Sequence, residues 1–382
     1  MPIPLHYFDH AATTPLDPRV WEAMAAIQGL PLNPSSTHRL GQRARMLLED
    51  ARERVAACLG IEDPNHLVFT SGATEAANLA IRGLAQTLDR PMRVWASALE
   101  HSCVEKTLAG MAERGSVVPH WMEAGANGRI CIPESKWIAE VNSPPDLICV
   151  MHSNNETGVL QDVESIPGWT AELGAHWLCD VTQSVGKVPL GLDALGADFA
   201  FGAAHKFYGP VGIGFLAGRD LQTIVPQVTG GSQESEIRGG TEPVVLAIGC
   251  ARALELACEE REARTRAVHR LEEAFLRALA DLGVICRRNG EAPRLPGVLN
   301  LSFGPIAATD LAIALDGRGC AVSPGAACST GVVSVSPVLA SMFPGDEERA
   351  RGGLRISLSH LTGVEEVRVL AEKLAEIVEP AP

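Results

Sequence analysis

The sequence predicts an α/β protein with two cores. Three observations lead there: short apolar runs alternate with helix-periodic segments, glycine and proline punctuate the junctions, and a second alternating block follows one long charged helical stretch. Such alternation predicts a mainly parallel sheet covered by helices. At 382 residues the chain is long enough for two sizeable cores.

Taken in order, 40–59 and 75–87 repeat apolar residues at helical spacing, as do 244–282 and 364–378. The strand candidates between them are 66–69, 93–97, 147–151, 176–178, 199–201 and 212–216, each bounded by turn residues or helical sequence. Beyond 282, the runs 283–286, 298–303, 310–315 and 354–359 form the second, smaller block. The boundary is expected inside the 244–282 stretch, near Glu259, because a long charged helix can bridge two cores. Loop-rich sequence is confined to 31–38, 230–241 and 323–334.

Composition narrows the function classes. A formal net charge of -14, without basic runs interleaved with aromatics, argues against a direct nucleic-acid surface. The start, Met1-Pro-Ile-Pro-Leu-His-Tyr-Phe-Asp9, lacks a basic and then apolar leader, and no apolar stretch approaches membrane-span length. A cytoplasmic protein, without a membrane partner, is the expectation. The ten cysteines are scattered, with no Cys-x-x-Cys pair and no cysteine–histidine spacing of a structural zinc site, so no metal is expected.

Chemistry concentrates at two places. In Leu178-Cys-Asp-Val-Thr-Gln183 an apolar run ends in Asp180, and in Asp198-Phe-Ala-Phe-Gly-Ala-Ala-His-Lys206 a second run leads to His205 and Lys206. An acid and a lysine at the ends of two strands suit pyridoxal 5'-phosphate, which bonds to a lysine amine and needs a carboxylate to keep its pyridine nitrogen protonated. Two surface charges are the alternative, since such residues mostly sit exposed. The second place is Ser323-Pro-Gly-Ala-Ala-Cys-Ser-Thr-Gly331, where Cys328 sits among small and polar residues and reads as an exposed, reactive thiol, unlike cysteines on apolar faces.

Thr70-Ser-Gly-Ala-Thr-Glu75 follows a strand and opens a helix, so its free N–H groups and Thr74 could cradle a phosphate or simply cap the helix. His101 follows a strand and begins a helix, a position open to proton transfer. Arg355 lies in Leu354-Arg-Ile-Ser-Leu358, where a charge amid apolar neighbours calls for a partner: a substrate carboxylate or an internal salt bridge.

Together with Asp9-His-Ala-Ala-Thr-Thr-Pro15, Asn33-Pro-Ser-Ser-Thr-His38, Glu100-His101, Met151-His-Ser-Asn-Asn-Glu-Thr-Gly158, Gly230-Gly-Ser-Gln-Glu234 and Arg238-Gly-Gly-Thr241, these segments resemble the cysteine desulfurases of the nitrogen-fixation and iron–sulfur-assembly type, nearly end to end. The resemblance implies the fold-type I pyridoxal phosphate architecture, class V aminotransferase-like: a large domain, 15–258, with a mainly parallel seven-stranded sheet, and a small α/β domain made of 1–14 with 259–382. It implies that Lys206 bonds the cofactor, Thr74 and His205 hold its phosphate, His101 stacks on its ring, Asp180 meets the pyridine nitrogen, and Gln183 and Asn155 contact the phenolic oxygen and substrate side. Arg355, with Asn155, would bind the substrate, and Thr241 would reach the phosphate of a neighbouring subunit in a homodimer.

The implied reaction converts L-cysteine to L-alanine and leaves the sulfur on Cys328 as a persulfide, for delivery to an acceptor protein such as an iron–sulfur scaffold. A selenocysteine lyase or a small-substrate aminotransferase could share the fold, and a non-enzymatic dimerising scaffold is a third reading. Two departures stand out. Ala203 occupies a position where many members carry a hydroxyl on the phosphate, and Gly325-Ala-Ala precedes the cysteine where Gly-Ser-Ala is common. The short stretch after the last expected helix leaves the acceptor open.

Overall fold

The computed structural model describes residues 5–131, 143–325 and 335–378. Its centre is a seven-stranded sheet built from β2 (Leu67–Thr70), β3 (Met92–Ser97), β4 (Val117–Met122), β5 (Leu147–Cys149), β6 (His176–Asp180), β7 (Phe199–Ala203) and β8 (Gly214–Ala217), in the order β2-β8-β7-β6-β5-β3-β4. Neighbouring strands from β7 through β4 are parallel, and β8 runs antiparallel to both β7 and β2. The carboxyl ends of β2, β3, β6 and β7 therefore share one edge, where open α/β sheets bind ligands.

Strand alternation divides the packing. Leu67 and Phe69 of β2 enter a cluster with the helices Arg39–Leu59 and Val244–Glu259, while Val68 enters the opposite cluster with the helices Ala73–Ala85 and Ser102–Ala112. Each fully buried leucine or phenylalanine in these layers contributes roughly 1.5–3 kcal/mol. Arg54 and Glu255 tie the first two helices at 2.6 Å.

A third cluster gathers Phe8, Phe275, Leu299, Leu301, Leu354, Ile356 and Leu370 around a three-stranded antiparallel sheet of β9 (Arg287–Arg288), β10 (Val298–Ser302) and β12 (Leu354–Ser357). The N-terminal strand β1 (His6–Tyr7) pairs in parallel with β11 (Cys320–Ala321), and Asp9 bridges to Ser357. Val338, Leu339, Met342 and Phe343, although late in the chain, pack into the first large-sheet cluster.

Three local expectations change. The 244–282 stretch is two helices, Val244–Glu259 and Arg261–Asp281, separated at Glu260, whose backbone (φ -96, ψ 0) leaves the helix without any glycine or proline to announce it. The strand expected at 283–286 falls on Arg287–Arg288. β4 escaped the apolar pattern because this sheet-edge strand exposes His120 on one side and carries Pro119.

Candidate active site

β6 delivers Asp180, and β7 delivers His205 and Lys206 through the single turn Ala204–Lys206. Asp180 and Phe201 are register partners, so the acid and the lysine leave adjacent strands on the same edge. Asp180 is buried; desolvation raises its pKa, and the Thr182 N–H at 2.8 Å and the charges of His101 and Lys206 pull it back. Burial pushes the Lys206 amine down to about 8, helped by the charge of Arg355 and opposed by Asp180 and Asp9. His205 is pushed down to about 4 by burial and by Lys206 and Lys187, so it is neutral, with Nδ1 3.1 Å from Thr13 Oγ1.

His101 caps the helix Ser102–Ala112: its Nδ1 accepts the Cys103 N–H at 3.2 Å, which places the ring proton on Nε2. The ring is exposed overall, yet desolvation by neighbouring atoms lowers its pKa, and Asp180 and Lys206 both act on it electrostatically. Glu100, one residue earlier, is buried; burial and the Asp180 charge push its carboxyl up to about 8, and Oε1 accepts the Met151 N–H at 2.7 Å.

Thr74 sits exposed in the first turn of the helix Ala73–Ala85. The cap is Gly72, with no side-chain hydrogen bond, so Thr74 is not the capping residue. Glu75 instead reaches back to the Ser71 N–H at 2.7 Å and pairs with Arg238 at 2.8 Å. Gly214 lies so close that a Cβ there would sit 2.7 Å from Gly72 Cα, which fixes this turn against β8.

The substrate side comes from elsewhere in the chain. Arg355, buried in β12, donates to Asp9 Oδ1 at 2.7 Å and to the Asn155 carbonyl at 2.9 Å, while its Nε has no partner among the described residues. The salt bridge weighed from sequence thus exists, with Asp9, and the Nε edge of the guanidinium remains for a second acceptor. Asn155 and its neighbour divide their tasks: Asn154 satisfies the turn, accepting from Glu156 and Thr157 N–H groups, and Asn155 Oδ1 is buried without a partner among the described residues. Gln183 is buried and donates to the Ala11 carbonyl at 2.8 Å, which also takes Lys206 Nζ at 2.9 Å; Lys206 further donates to Ala12 at 2.6 Å.

The structure therefore brings Asp180, Gln183, His101, His205, Lys206, Asn155 and Arg355 together. Thr241 is exposed, and no hydrogen bond among the described residues joins it to them. Cys328 lies outside the described residues. Sequence reading missed Asp9, Ala11, Ala12, Glu100 and Lys187 as parts of the site. Asp9 and Glu100 stood inside motifs already noticed, and Lys187 stood as a charge in the apolar run Val185-Gly-Lys-Val-Pro-Leu190.

A lysine with a lowered amine pKa, a buried carboxylate on the adjacent strand, an uncapped helix N-terminus and the unpartnered Asn155 Oδ1 fit pyridoxal phosphate, and they define the site of a fold-type I enzyme. Residues 6–370 match the class-V aminotransferase family. A putative cysteine desulfurase IscS 1 of Bacillus subtilis is 35% identical over 376 residues, covering 97% of this chain and 98% of that protein. Among solved structures, a NifS-like protein superposes with TM-score 0.88 at 31% identity, covering 98% of this chain and 99% of that one. SspA in complex with cysteine superposes with TM-score 0.79 at 31% identity, covering 92% and 98%. The chain belongs to the class-V aminotransferase family and, within it, to the pyridoxal phosphate-dependent cysteine desulfurases. The expected fold and activity hold.

Proposed function

We propose that this desulfurase stores the sulfur of L-cysteine on Cys328 and passes it to an iron–sulfur scaffold protein. The observation that carries the substrate side is Arg355, held by Asp9 and Asn155 with its buried Nε unpartnered. A carboxylate on that edge would orient the substrate's α carbon. Asn155 Oδ1 would accept from the substrate side. Bound pyridoxal phosphate supplies the electron sink. Asp180 would hold the proton on the pyridine nitrogen, His101 would pack on the ring, and Thr74, His205 and the N–H groups of the helix Ala73–Ala85 would take the phosphate. Lys206 removes and returns the proton at the substrate α carbon, a role suited to an amine near pH 8. The Cys328 thiolate attacks the substrate sulfur, so that an S–S bond forms as the carbon–sulfur bond breaks; its electron pair passes to the β carbon, which takes up the proton given up by the thiol, and alanine leaves with the persulfide on Cys328.

Support for the acceptor is the naming of the relatives as IscS proteins. A homodimer, with Thr241 serving the neighbouring phosphate, fits the exposed Thr241 on the loop that Arg238 anchors to Glu75. The division into 15–258 and 1–14 with 259–382 is likewise our reading, supported by the cluster that joins Phe8 to residues beyond 268. So is a cytoplasmic setting; among the described residues no helix is long and apolar enough to cross a membrane. Cys328→Ala tests the thiol: alanine production should vanish with the cofactor's visible band intact. Unchanged alanine production would refute the role of Cys328.

A further inference from the structure

After β6 the chain folds into consecutive turns, with the Lys187 N–H donating to the Ser184 carbonyl at 3.0 Å. Gly186 makes this possible at φ +72, and a Cβ there would lie 2.7 Å from Ala257 Cβ, so neither the conformation nor the space admits a side chain. The turn folds Lys187 back over Gln183, and Lys187 Nζ donates to Gln183 Oε1 at 2.9 Å. On its other side Gln183 Nε2 donates to the Ala11 carbonyl, the same oxygen that takes Lys206 Nζ.

The two ends of a glutamine amide are nearly equal in size, so only hydrogen-bond partners decide which way it faces. Here the partners have opposite polarity. A lysine amine offers N–H to Oε1, and a carbonyl can only accept from Nε2. Reversing the amide would set two acceptors, Oε1 and the Ala11 oxygen, against each other. The orientation turns Oε1 toward Lys187 and leaves the second Nε2–H to donate to a further acceptor.

Lys187 has no other evident purpose. Its one hydrogen-bond partner among the described residues is Gln183, and it makes no ion pair among them. The cavity it lines also holds His10, Lys206, Arg261, Arg264 and His360, and no carboxylate among the described residues. Burial, with the charges of Lys206 and Arg355, pushes its amine down to about 7. Keeping an amine there without a counter-charge is costly, which argues that the hydrogen bond is what it provides.

We propose that Lys187 is a positioning residue that locks the Gln183 amide so that an N–H, not an oxygen, meets the cofactor's phenolic oxygen. The inference rests on the reading that Gln183 contacts that oxygen. An N–H donated to a phenolate stabilises its charged form and lowers the pH midpoint at which the cofactor's visible band titrates.

The test is a double-mutant cycle on the holoenzyme, read from that midpoint and not from turnover. Gln183→Leu and Lys187→Met should each raise the midpoint by about half a pH unit or more, and Lys187→Arg, which keeps a donor, should stay near wild type. In the Gln183→Leu background, Lys187→Met should add nothing. A silent Gln183→Leu overturns the reading of Gln183 and the inference with it. A shift in Gln183→Leu with none in Lys187→Met overturns only the inference, as does an equal Lys187→Met shift in both backgrounds, which would mean that Lys187 acts by charge. Should Lys187→Met fail to fold, Lys187→Leu is read the same way.

Discussion

On the cofactor side of the site, Asp180, Gln183, His205 and Lys206 leave the ends of two adjacent strands, whereas on the substrate side Arg355 meets Asp9 across 346 residues of sequence. The first wall is set by backbone register. The second is assembled by polar contacts between the N-terminal segment and β12: Asp9 with Arg355, the Ala11 N–H with Ser357 Oγ at 2.9 Å, and the Ser357 N–H with the Phe8 carbonyl at 2.7 Å. Strand ends hold chemistry that needs fixed distances. Segment contacts place a binding group against a partner that comes and goes.

Substitutions on the two walls should therefore differ in kind. After the loss of turnover expected for Cys328→Ala, the largest effect is expected from Asp180→Asn, which removes the charge behind the pyridine nitrogen and should lower kcat roughly 10²- to 10³-fold with the fold intact. Steady-state alanine production measures it. Asp9→Asn should instead raise KM for cysteine roughly tenfold, about 1.4 kcal/mol, because Arg355 loses its charged anchor. An Asp9→Asn enzyme with normal KM and low kcat would erase the distinction between the walls.

A third change probes Glu100 through stability. Its carboxyl, raised to about 8, keeps its proton in the folded state at pH values where the unfolded chain has lost it. The folded state therefore binds more protons between the unfolded pKa and about 8, and stability from this group falls as pH rises through that window. Glu100→Gln removes the slope. The variant should gain on wild type by about 1 kcal/mol per pH unit between about pH 5.5 and 7.5 in urea unfolding. The smallest effect is expected from Ala203→Ser at the buried end of β7, where one added hydroxyl should tighten cofactor binding roughly two- to tenfold.

The cofactor wall was the more legible in sequence, for a physical reason. Asp180 and Lys206 each end an apolar run, and a strand end is a local pattern that a single stretch of residues reveals. Arg355 was visible as a charge among apolar neighbours, but its partner was not, since nothing local ties Asp9 to a strand at the far end of the chain. Lys187 carries the same signal as Arg355, a charge in an apolar run, but its partner, Gln183, is neutral, so no charge pattern in the sequence points to it. The break at Glu260 was hidden because no residue type marks it, and the edge strand Val117–Met122 because Pro119 and the exposed His120 interrupt its apolar pattern.

The substrate's sulfur is expected to come to rest on Cys328. Mass spectrometry of the peptide carrying that residue, after the purified enzyme is incubated with L-cysteine and no reductant, tests it directly. A peptide heavier by one sulfur atom should appear as alanine forms. An unmodified Cys328 peptide, with cofactor bound and cysteine consumed, would contradict it.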